Sequence, residues 1–90
     1  MSTIYRCWIE ETEECMDFLT FEEADEYMES HGYFYVDSFR DGFGFGEVAY
    51  YFSRKKAVQL GYDDLDEDIP IIEVFEQRGM KPRVEEIEQD

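Results

Sequence analysis

Positive charge is scarce in this sequence: eight Lys and Arg stand against twenty-four Asp and Glu, a formal charge of −16 over ninety residues. That scarcity argues against direct nucleic-acid binding, because the phosphate backbone dominates such affinities and would be repelled. Histidine occurs once, at His31, and the two cysteines, Cys7 and Cys15, are not clustered. A zinc site therefore lacks ligands. No apolar run approaches the ~20 residues of a membrane span, so no membrane partner is expected. Met1 to Arg6 lack the apolar stretch of a signal peptide. The expected location is thus the cytoplasm, where Cys7 and Cys15 read as buried or unpaired thiols, with a disulfide between them left open.

Large apolar side chains are plentiful. The chain carries eight Phe, seven Tyr and one Trp. Disorder requires low hydrophobicity together with high charge, and only the charge is present. Ninety residues suit one domain, read here as a compact α+β unit over residues 1–80 followed by a charged tail over 81–90.

Local patterns supply the elements. Residues 3–10 alternate as a strand with apolar groups on both faces, and Cys15 to Leu19 add a short extended piece. Thr20 with Glu23 forms a capping box, and Gly32 supplies a stop. Between them Phe21, Ala24, Tyr27, Met28 and His31 gather on one side of a helix, while Glu22, Glu23, Asp25, Glu26, Glu29 and Ser30 take the other. Tyr33 to Phe39 and Glu47 to Phe52 read as strands joined by a glycine-rich turn. Ser53 caps a shorter helix that ends at Gly61, and Ile71 to Phe75 read as a last strand behind Pro70. Arg83 to Asp90 reads as a charged tail or frayed helix. The order βαββαβ is that of a ferredoxin-like, two-layer sandwich with an antiparallel sheet and two helices.

Several motifs fail on inspection. Asp64, Asp66 and Asp68 have the opening spacing of a calcium loop, but Ile69 and Phe75 stand where its glycine and bidentate glutamate belong. Gly42, Gly44 and Gly46 resemble a kinase glycine-rich loop with its third glycine one position early, so a hairpin is the better reading, with Phe43 and Phe45 at its tip as core in preference to partner anchors. Trp8, Tyr33, Tyr35 and Tyr51 could stack bases on a sheet, but the charge opposes it and core packing is expected. No nucleophile is placed beside His31, so no catalytic residue, cofactor or metal is expected, and the chain reads as a non-enzyme.

The acidity itself is patterned. Between Cys7 and Phe39 there is no Lys or Arg, while Glu10, Glu11, Glu13, Glu14, Asp17, Glu22, Glu23, Asp25, Glu26 and Glu29 all fall there. Opposite charges at i,i+4 would add about 0.2–0.5 kcal/mol each to a helix, and here Glu22 with Glu26 and Asp25 with Glu29 oppose it instead. Asp63, Asp64, Asp66, Glu67 and Asp68 extend the acidic surface. The expected partner is a basic protein that handles nucleic acid, bound by mimicry of phosphates. The function this points to is an inhibitor of the phage or mobile-element counter-defence kind, anti-CRISPR or anti-restriction, encoded by a phage and acting in its host. The alternatives are an immunity protein or antitoxin against a basic toxin, and a small structural or adaptor domain whose acidity only solvates it. A homodimer is compatible with the aromatic content, and Arg54-Lys55-Lys56 could pair with an acidic tract or a sister subunit.

Overall fold

The computed structural model describes residues 2–10, 12–40, 46–62 and 69–89. Five antiparallel strands form one sheet in the order β2-β1-β5-β4-β3: β1 (Ser2–Trp8), β2 (Cys15–Phe18), β3 (Tyr33–Arg40), β4 (Glu47–Ser53) and β5 (Arg83–Gln89). Three helices accompany it, α1 (Phe21–Ser30), α2 (Arg54–Gln59) and α3 (Ile71–Glu76). The α+β class and the antiparallel sheet are as expected. The element order is ββαββααβ, with one strand and one helix more than the βαββαβ pattern.

Strand β4 organises the core. Its central five residues, Val48 to Phe52, are all buried, and alternation sends them to opposite faces of the sheet. Ala49 and Tyr51 join Cys7, Val84 and the α1 residues Ala24 and Met28 on one face. Val48 and Tyr50 pack with Val74 of α3, and Phe52 packs with Ala57 of α2 and Ile69. A strand covered on both sides loses the half-polar pattern of an open sheet, and Val48–Phe52 is correspondingly apolar without interruption.

Helix α1 begins where the capping box places it: the Glu23 N–H donates to Thr20 Oγ1 at 3.2 Å, and the Thr20 hydroxyl donates to the Glu23 carboxylate at 3.1 Å. It links the two edge strands, β2 and β3, and so runs across the sheet from one side to the other. Ala24 and Met28 are buried beneath it, with Phe21 and Tyr27 half-buried beside them. His31 departs from the expected inner face: it is exposed at the C-cap, its ring against Tyr27 at 4.3 Å. Ser53 caps α2 through the Lys56 N–H at 3.1 Å, as its position suggests, and Gly61 follows with φ +93°.

Two elements differ from expectation. Ile71–Glu76 is a helix, not a strand, with only Val74 fully buried, while Ile71, Ile72 and Phe75 stay largely exposed. Arg83–Gln89 is neither tail nor frayed helix, so residue 80 does not divide a core from a tail. It is the middle strand, paired with β1 along its whole length and with β4 over Arg83 to Glu85. Two of the charges that suggest a tail are matched there: Glu85 lies opposite Arg6 and is ion-paired to Arg83 at 2.8 Å, and the Arg83 guanidinium lies 5.1 Å from the Trp8 ring centre. Once 83–89 fills the slot between β1 and β4, the 71–76 segment finds its burial as a helix turn against Phe39 and Tyr50.

Candidate functional site

The acidic residues separate into three groups. Glu22, Glu26 and Glu29 are exposed and, at spacings of four and three, form one stripe on the outer side of α1. Glu23 is also exposed but is engaged in the helix cap. Glu10, Glu13 and Glu14 are exposed around the β1–β2 connection, where the Glu10 N–H donates to the Tyr33 hydroxyl at 3.2 Å. That bond ties the connection to the residue that follows α1 into β3. Glu11, Asp63, Asp64, Asp66, Glu67 and Asp68 lie outside the described residues, as do Gly42, Phe43, Gly44 and Phe45.

Two residues leave the expected surface. Asp17 pairs in register with Arg6 and is bound by its guanidinium at 2.8 Å, on the sheet face away from α1. That donor holds the Asp17 carboxyl below its ordinary range and raises the Arg6 guanidinium in turn. Asp25 sits 60° round the helix from Met28, which turns it toward the sheet. It is half-buried and accepts from the Tyr51 hydroxyl at 2.7 Å. Burial first, then this bond, pushes the Tyr51 phenol well above its ordinary value.

Among the described residues the ion pairs are Arg6–Asp17 and Arg83–Glu85, so no side-chain ion pair neutralises the α1 stripe. Arg54, Lys55 and Lys56 open α2 on the far face of the sheet and make no ion pair with an acidic residue among the described residues. Trp8, one of the candidate stacking aromatics, is instead flanked by Lys81 and Arg83, and Tyr33 and Tyr51 are buried.

Asp25 also borders a feature that the sequence does not announce, a hollow of about 340 Å³ between the first half of α1 and the sheet. Its floor is small: Ala49 and Val84, neighbours in register on β4 and β5. Its aromatic wall is a row of edge-to-face rings, Tyr5 to Phe21 at 6.0 Å and Phe21 to Tyr35 at 6.3 Å. Glu47 and Glu86 complete the lining with Asp25, and no Lys, Arg or His contributes to it.

A bulge in β3 between Tyr35 and Asp37 brings Ser38 onto this face, where it accepts from the Tyr35 hydroxyl at 3.1 Å. Gly46 lets β4 start close against β5: a Cβ there would lie 2.5 Å from Glu86 Oε1 and 2.9 Å from its carbonyl oxygen. Sequence reasoning misses Glu47 and Glu86, because Glu86 faces the hollow only if 83–89 is a strand. Residues 83–89 carry no clean apolar–polar alternation to signal that strand, since Val84 and Ile87 stand three apart.

Among the described residues no three of His, Cys, Asp or Glu converge as a metal ion requires, and no helix is long and apolar enough to cross a membrane. No protein-family model, curated protein or solved structure matches this chain.

Proposed function

We propose that this chain inhibits a basic, nucleic-acid-handling protein by presenting carboxylates in place of phosphates, in the manner of phage or mobile-element counter-defence against CRISPR or restriction systems. The observation that carries the reading is the Glu22–Glu26–Glu29 stripe, exposed along one side of α1 with no cation interleaved. Like charges about 5–6 Å apart on a helix oppose folding, so the arrangement costs stability that a solvating surface could have kept. A basic groove built to neutralise phosphates would instead be complementary to such a row, through charge-assisted hydrogen bonds and fast, electrostatically steered encounter. Glu10, Glu13 and Glu14 widen the same negative field.

The test is capture of host proteins on the immobilised chain from nuclease-treated lysate, at stepped salt, alongside the triple variant E22K/E26K/E29K. Nucleic-acid-binding proteins are expected on the native chain at low salt, displaced by added double-stranded DNA and missing from the triple variant. Equal capture by both chains would contradict the reading.

A further inference from the structure

We propose that the hollow beneath α1 is an arginine receptor: it takes the guanidinium of one arginine side chain presented by the basic partner. This deepens the function proposed above and rests on it for the source of that arginine, while the chemistry of the hollow stands on its own lining. The volume of about 340 Å³ is at the small end of ligand sites. The Tyr5–Phe21–Tyr35 row offers ring faces and edges against which a planar cation can lie. Every charged group in the lining is a carboxylate, contributed by three different elements: Asp25 from α1, Glu47 from β4 and Glu86 from β5.

The disposition of those carboxylates selects the ligand. They do not converge as a metal site would. A lysine ammonium is a compact point charge, best matched by acceptors gathered around one spot. A guanidinium spreads five N–H donors around a flat edge, and it suits acceptors distributed about an aromatic slot. One carboxylate is already oriented, since Asp25 Oδ1 accepts from Tyr51 at 2.7 Å. Arg40, directly across from Glu47 in the β3–β4 register, is the chain's own nearest cation in the ladder, yet it makes no ion pair with Glu47 and is not part of the lining.

The experiment is a titration of the whole chain with N-acetyl-arginine N-methylamide, followed by amide chemical shifts in ¹H–¹⁵N NMR spectra. Saturable shifts are expected at Ser38, Glu47, Ala49, Val84 and Glu86, with the neutral citrulline analogue binding about tenfold more weakly or not at all. The lysine analogue is expected to be weaker than the arginine one. Glu86→Gln is expected to weaken the arginine probe about tenfold with an otherwise unchanged spectrum, and Glu76→Gln, on α3 across the sheet, to leave it unaltered.

Four results would overturn the assignment: equal binding of the arginine and citrulline analogues, shifts confined to the outer stripe of α1, binding that appears only in Arg40→Gln, or tighter binding of free arginine than of the blocked form, which would make the hollow a small-metabolite site. The two proposals fail separately. A probe that binds the hollow while the captured partner ignores Glu86→Gln separates the hollow from the partner, whereas equal capture by the native chain and E22K/E26K/E29K would fail the stripe and leave the probe's binding to the hollow untouched.

Discussion

Cys7 faces α1, where its thiol reaches toward the Ala24 carbonyl oxygen at 3.7 Å, and burial, aided by the Asp17 charge, pushes it up to about 12. Cys15 lies across from Trp8, on the other face of the sheet. Neighbouring strands present these two thiols to opposite sides, so the disulfide left open by the sequence cannot close. One thiol per folded chain is therefore expected to react with a disulfide reagent at pH 8, and two after denaturation; two fast thiols in the native state would contradict the burial of Cys7. The same burial sets a pH dependence. Folded Cys7 and Tyr51 keep their protons where the unfolded chain loses them, so the folded state binds more protons above pH 9. Stability is fully present below that pH and is expected to fall as pH rises from about 9 toward 12, read as a declining urea midpoint. A flat profile through that range would show that neither group is held neutral. Asp25 shows the limit of reading single residues: its acidity is plain in the sequence, but only the packing of α1 reveals that it serves Tyr51 instead of the outer face.

At the scale of elements, legibility follows how local the signal is. The cap at Thr20, the stop at Gly32 and the apolar side of α1 are contained within thirteen residues, and the helix forms where they place it. The strands β1, β3 and β4 carry enough aromatic and β-branched residues to be read directly. Ile71–Glu76 and Arg83–Gln89 are decided by partners far away in the chain. A strand rich in Glu looks solvated until Arg6, Arg83 and Trp8 are brought beside it, and an apolar run looks extended until the slot it would fill is taken. The hollow depends on that same placement, which is why its Glu86 was illegible.

Helix α1 also permits a trade-off to be measured. Glu26→Lys replaces a repelling Glu22–Glu26 pair with an attractive one and adds an opposite charge beside Glu29, for an expected gain of about 0.5–1 kcal/mol in a urea melt. The same substitution is expected to weaken partner capture. Lower stability would mean that the stripe is not repulsive; unchanged capture would mean that it is not used.

For the molecule as a whole, a charge of −16 on a ninety-residue chain implies self-repulsion that counter-ions relieve. The melting temperature is expected to rise between 10 mM and 500 mM sodium chloride, and a melting temperature indifferent to salt would mean that this repulsion contributes little. Binding should respond in the opposite sense, because salt screens attraction between the chain and a basic partner just as it screens repulsion within the chain. That opposition separates an acidic surface kept for a partner from one that merely solvates, since a solvating surface gives the first response without the second. The decisive measurement is the affinity between the chain and its captured partner at 50 and 200 mM salt, for the native protein and for E22K/E26K/E29K. The expected result is a loss of tenfold or more for the native chain across that range, a much flatter dependence for the variant, and competition by double-stranded DNA. An affinity that is the same at both salt concentrations, or the same for both proteins, would contradict phosphate mimicry by α1.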